Sequence, residues 1–185
     1  MKDIYEECPS VQSEHYLCRL VEESDVKDLL EVYSDKHALP YFNSDNCDGD
    51  IFFYETEERM KQGMEFWLMS YREHYFVRFT IIDLARQKAI GTIEYFIREM
   101  EDGTQKGLLR LDLHSDYEVK ECMDEIFAHI VPLIDEAFGC KSNITKAAPY
   151  AVERIAALKS NGYVPYGKNI IGEDGTAYGD YWISQ

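Results

Sequence analysis

Between residues 75 and 114 the chain runs through three β-forming segments in succession, and this run limits the fold more than any other feature of the sequence. Residues 75–82 (Tyr-Phe-Val-Arg-Phe-Thr-Ile-Ile) and 89–97 (Ala-Ile-Gly-Thr-Ile-Glu-Tyr-Phe-Ile) are rich in aromatic and β-branched side chains, which suit a pleated, half-buried surface. The polar stretch 83–88 between them reads as a turn, so the two segments are expected to pair antiparallel. A second turn is expected over 100–107. Leu109, Leu111 and Leu113 then alternate with Arg110, Asp112 and His114, the period of a strand with one buried face. A three-stranded meander is therefore predicted at the centre of the chain.

Helical spacing flanks the meander on both sides. Residues 16–21 alternate as a first strand, and Glu22 to Asp25 supply a cap before Val26, Leu29, Leu30 and Tyr33. A polar connection follows over 34–50, containing Pro40 and Gly49, and then Met60, Met64, Trp67, Leu68 and Tyr71 line a helix between Thr56 and Ser70. From Glu118 onward Met123, Ile126, Phe127, Ile130, Ile134 and Phe138 recur on one side of a long helix closed by Gly139. Pro132 lacks an amide donor and collides with the carbonyl of Ala128, which predicts a kink or restart there. Residues 143–147 read as a short strand. A last helix is expected to begin at Pro149 and end at Asn161-Gly162, followed by a hairpin or loop and a final strand around Tyr181. This order predicts an α+β domain: one mixed, mostly antiparallel sheet with helices on both faces.

The chain is 185 residues long with 45% hydrophobic side chains, enough for one continuous core, and residues 1–185 are read as a single domain. Its 35 acidic against 19 basic side chains give a formal charge of -16, which excludes a general affinity for nucleic acid or anionic membrane. Residues 1–60 carry 16 acidic and 5 basic groups, so most of the excess is amino-terminal. No apolar run is long enough to span a bilayer, and a soluble, cytoplasmic protein is expected, monomeric or homodimeric. The five cysteines show no CxxC spacing and the five histidines no HExxH, so reduced thiols and no metal site are expected.

Several stretches resemble the Gcn5-related N-acetyltransferase superfamily, in particular its ribosomal-protein acetyltransferases. Residues 19–25 resemble the opening strand and helix cap, 89–93 the third strand, 111–117 the fourth strand and its exit, and Asn161-Gly162-Tyr163 the end of the last long helix. The resemblance implies the acyl-CoA N-acyltransferase-like fold, acetyl coenzyme A as cofactor, and transfer of an acetyl group to a primary amine. It places the cofactor against Leu111 and Leu113 of the fourth strand and the turn of Val119, Lys120, Glu121 and Cys122, with Arg154 within reach from the last helix. Val119 and Glu121 stand where the family has two glycines, and Glu118 where a basic residue is common. Carboxylates at that turn oppose a pyrophosphate that exposed amides would otherwise attract.

Glu94 and Asp112 are the catalytic candidates, because a carboxylate beside the scissile thioester can take a proton from an ammonium. Two functions follow from the sequence. One is an N-acetyltransferase acting on a cationic small molecule or a basic peptide terminus, to which the acidic surface is suited. The alternative is a catalytically inactive binding or regulatory protein that keeps the fold.

Overall fold

The structure, a computed structural model, describes residues 4–185. It opens on a pair of antiparallel strands, β1 (Val11–Gln12) and β2 (Tyr16–Leu20). The first was not predicted, since two paired residues carry no readable period. Asp25 ties the next turn together: its carboxylate accepts from the Glu22 amide at 3.0 Å, from Arg19 at 2.7 Å and 2.9 Å, and from the Thr80 hydroxyl at 2.7 Å. Helix α1 (Val26–Tyr33) follows. After the long connection comes α2 (Glu57–Arg72), whose first turn is capped by the Thr56 hydroxyl accepting from the Arg59 amide at 3.2 Å.

The central segments form the expected meander of β3 (Val77–Asp83), β4 (Lys88–Glu99) and β5 (Gln105–Leu113). The long helix after it is broken into α3 (Lys120–Glu125), a π-helical turn (Ile126–Ile130) and α4 (Val131–Ala137). Pro132 explains the break, because the wider turn relieves the clash with the Ala128 carbonyl and the missing amide costs nothing at the start of α4. Strand β6 (Asn143–Lys146) leads to α5 (Val152–Ser160). This helix starts three residues after Pro149, because the Ala151 amide first closes a turn on the Ala148 carbonyl at 2.8 Å. The tail supplies β7 (Tyr163–Pro165), a small hairpin of β8 (Ile170–Ile171) and β9 (Ala177–Tyr178), and β10 (Tyr181–Ser184). Of the expected hairpin or loop, the hairpin is present and the final strand follows it; β7 was not expected.

Eight strands make one sheet in the order β1-β2-β3-β4-β5-β6-β10-β7, antiparallel throughout except for β5 beside β6. Alternation sends Phe79, Ile81, Ile93, Leu109, Leu111 and Leu113 to one face, where they are buried with Met123, Ile126, Phe127, Ile130, Ile134 and Leu158. Burying each such side chain contributes about 1.5–3 kcal/mol relative to leaving it in water. The other face lies under α1 and α2, whose Leu29, Val32, Tyr33, Met60, Met64 and Trp67 form a second core. One close approach fixes Gly107 in place: a Cβ there would overlap the Tyr95 hydroxyl, which donates to Asp135. Among the described residues no helix is long and apolar enough to cross a membrane.

Candidate functional site

The same alternation that builds the α3–α5 core puts a row of polar side chains under α1 and α2. Arg78, Glu94 and Arg110 are cross-strand neighbours, as are Thr80, Thr92 and Asp112. Glu94 is held between two guanidiniums, accepting from Arg78 Nη2 at 2.5 Å and from Arg110 Nη1 at 2.6 Å. Arg78 also donates to Asp112 Oδ2 at 3.2 Å and to the Thr92 hydroxyl at 3.1 Å, and lies 4.4 Å above the Trp67 ring. The Tyr33 hydroxyl completes the set, 2.7 Å from Thr92 and donating to Asp112 at 3.1 Å. Arg78 and Asp112 are fully buried, and Arg78 Nε and Asp112 Oδ1 have no hydrogen-bond partner among the described residues. Burial pushes the Asp112 carboxyl above its ordinary value, against the opposing pull of Arg78 and Arg154. For Arg78 burial works downward, but the carboxylates of Glu94 and Asp112 outweigh it and hold the guanidinium firmly protonated.

A cleft of about 510 Å³ opens over this row. Phe66, Trp67, Tyr75, Phe76 and Phe96 give it aromatic walls, Glu94 and Arg110 lie at its floor, and Asp48, Asp50 and Glu173 stand among its lining. Its arginines are committed: Arg59 to Asp50 at 2.6 Å, and Arg78 and Arg110 to Glu94. Asp48 and Glu173 make no ion pair among the described residues, and four carboxylates against three guanidiniums leave the lining with a formal charge of -1. The loop that forms one wall is pinned through Asp45. Its carboxylate accepts from Lys146 at 2.6 Å and Tyr181 at 2.9 Å, and its carbonyl from Arg110 at 2.7 Å.

A second polar cluster lies where β5 parts from β6. The two pair only from Gly107 with Asn143 to Leu109 with Thr145, after which β5 runs on to Leu113. The Gly107 amide donates toward β6, to Ser142, and the His114 amide toward β4, to Ile90. Alternation therefore turns the amides of Leu111 and Leu113 to the β6 side, beyond the last paired residue. At the end of this divergence Arg154 reaches from α5 to the turn after β5. Its Nε and Nη2 each donate at 2.7 Å to one oxygen of Glu118, a bidentate pair. Both are buried, at 2% and 8% exposure, so the pair belongs to the interior and not to a solvated helix face. For Arg154, burial works against the charged form, and the charges of Glu118 and Asp112 outweigh it. The Lys120 amide, first in α3, donates at 3.0 Å to the Glu153 carboxylate, and the Lys120 ammonium is paired with Asp124.

Of the residues singled out from sequence, Leu111, Leu113, Val119, Lys120, Glu121 and Arg154 gather around this divergence, while the Cys122 side chain is buried in the α3–α5 core. Glu94 and Asp112 lie on the other face, bridged by Arg78. Sequence reasoning did not select Glu153, which sits 33 positions from its partner and has no spacing signal.

The fold has clear relatives among solved structures. A ribosomal-protein-S5-alanine acetyltransferase from Vibrio fischeri superposes with a TM-score of 0.68 at 22% identity, over 95% of this chain and 94% of that one. A GNAT-family acetyltransferase from Bacillus anthracis gives 0.69 at 15% identity, over 95% and 97%. A ribosomal L7/L12 alpha-N-protein acetyltransferase in complex with coenzyme A gives 0.69 at 14% identity, over 95% and 96%. No family model matches the sequence, and no curated protein matches it significantly. The chain thus has the fold of the Gcn5-related N-acetyltransferases, as the residues 89–93 and 111–117 implied.

That fold implies coenzyme A, and the residues at the β5–α3 turn do not fit it. The turn offers Val119 and Glu121 instead of two glycines and Glu118 instead of a basic residue, its first helical amide is already bonded to a carboxylate, and its two cations are paired within the chain.

Proposed function

We propose that this chain is a protein of acetyltransferase fold that recognises an amine-bearing ligand in the cleft under α1 and α2. The observation that carries the reading is the charge left at that cleft: four carboxylates line it against three arginines, and Asp48 and Glu173 make no ion pair among the described residues. An ammonium is drawn to unpaired carboxylates and to aromatic faces alike. Polyamines, aminoglycosides and basic peptide termini have this chemistry.

Acetyl transfer to that amine is the second reading. It is favoured by the divergence of β5 from β6, which turns the amides of Leu111 and Leu113 toward the gap beyond Leu109. Glu94, which lines the cleft, would then take the ammonium proton, with Asp112 behind it across Arg78.

Trp67 lines the cleft and reports on it. Titration with spermidine, an aminoglycoside and a basic peptide should give a saturable change in tryptophan fluorescence, weakened about tenfold by the pair Asp48→Asn and Glu173→Gln, the loss of roughly 1.4 kcal/mol of attraction. The absence of saturable binding for all three amines would sink the reading. Release of free thiol from acetyl coenzyme A in the presence of the same amines would instead establish transfer.

A further inference from the structure

We infer that the corner between β5, α3 and α5 is sealed by the chain's own side chains, in place of a coenzyme's phosphates, and that the chain does not bind coenzyme A. Three independent contacts close it. Glu118 and Arg154 form a buried bidentate pair, with both bonds at 2.7 Å. A Glu153 oxygen takes the Lys120 amide at 3.0 Å, the place a phosphate oxygen would need. The Lys120 ammonium, the remaining cation at the turn, is held by Asp124.

The pieces match as a set. An arginine at 154 would be an asset to a phosphate site if it were free. Here it is spent on Glu118, and a carboxylate at 118 is tolerable at 8% exposure because Arg154 is there. A pyrophosphate arriving at the turn would meet Glu118, Glu121 and Glu153, and could win Arg154 only by leaving Glu118 buried without a counter-charge. The amide of Lys120 would have to exchange one anion for another, with no gain in hydrogen bonding. Two residues of α5 thus occupy the turn from within: Glu153 takes its Lys120 amide and Arg154 its Glu118 carboxylate.

This goes beyond amine recognition in the α1–α2 cleft, which does not depend on it, and it decides against the second reading, acetyl transfer from acetyl coenzyme A. The test is calorimetric titration of the full chain with coenzyme A, with thermal unfolding in parallel. Two variants are compared with the wild type. The first combines Glu118→Gln, Val119→Gly, Glu121→Gly, Asp124→Asn and Glu153→Ala, which frees Arg154 and Lys120 from their carboxylates. The second leaves the buried pair intact and carries only Glu121→Gly and Glu153→Ala, which uncovers the Lys120 amide, so that a folded comparison exists even if the first does not fold.

The wild type should show no saturable heat at millimolar coenzyme A. The five-fold variant should bind at least ~100-fold more tightly, and the second variant measurably more tightly than wild type, at tenfold for each 1.4 kcal/mol. Micromolar binding by the wild type would overturn the inference, as would a folded variant that binds no better than wild type. If the five-fold variant is unfolded, the second variant decides alone. Spermidine titration of the wild type reads the cleft separately, so failure there would strike the amine reading and leave this inference standing.

Discussion

Two ionic clusters flank β5, and they are finished differently. Under α1 and α2, Arg78, Glu94, Arg110 and Asp112 form a row that still holds two orphaned atoms, Arg78 Nε and Asp112 Oδ1, and opens into an aromatic cleft. At the β5–α3 turn, Glu118 and Arg154 use two oxygens and two nitrogens on each other, and Glu153 covers the adjacent amide. A buried polar group without a partner is costly, and chains keep such groups where something else is gained. The unfinished row is therefore where a ligand has something to offer. The finished corner has a structural role, clamping α5 to α3.

The sharpest way to break this contrast is to unpair the finished corner. Arg154→Ala should cost about 3–5 kcal/mol in chemical denaturation, because it strands a buried carboxylate. Replacing both members, Arg154→Met with Glu118→Leu, should restore most of that loss, since a buried ion pair is commonly no better than apolar packing. A double variant as unstable as the single one would mean the pair is not the clamp described. Next in size is Glu94→Gln, which keeps the shape but leaves Arg78 and Arg110 facing each other; a loss of about 2 kcal/mol is expected, measured the same way.

Asp112→Asn should have a smaller effect with a defined pH dependence. Burial raises the folded pKa of Asp112 above its ordinary 3.8, so the folded state binds this proton more tightly than the unfolded chain. Its favourable contribution is complete below the unfolded value and is lost as pH rises through the folded value. Relative to the Asn variant, wild type should therefore lose thermal stability between acid and neutral pH; a constant difference in Tm would contradict the shift. The smallest change is expected from Glu153→Gln, whose amide oxygen can still accept from Lys120: Tm should barely move, even though this position matters for coenzyme exclusion.

Much of the fold was readable because it rests on period. Leu109, Leu111 and Leu113 face one core as their alternation implied, α2 starts just after Thr56, and Pro132 interrupts the long helix. The start of α5 was misplaced because Ala148 and Ala151 close a turn that no residue preference announces. The ionic clusters were legible only as positions. Glu94 and Asp112 could be placed on neighbouring strands, but nothing in the sequence says that Arg78 would bridge them. Glu118 and Arg154 lie 36 residues apart on elements that meet only in the folded sheet, so their pairing is a fact of topology. The odd residues at the turn were visible; what they do for each other was not.

The pinning of Asp45 bears on how fast the cleft can work. With its carboxylate on Lys146 and Tyr181 and its carbonyl on Arg110, the wall it belongs to is tied to three different strands before any ligand arrives. A ligand entering there need not recruit and order a loose flap, so little conformational entropy is lost on association. Encounter should then follow simple single-step kinetics, with an on-rate governed by charge attraction and falling as salt is added, and affinity differences among amines should reside in how quickly they leave.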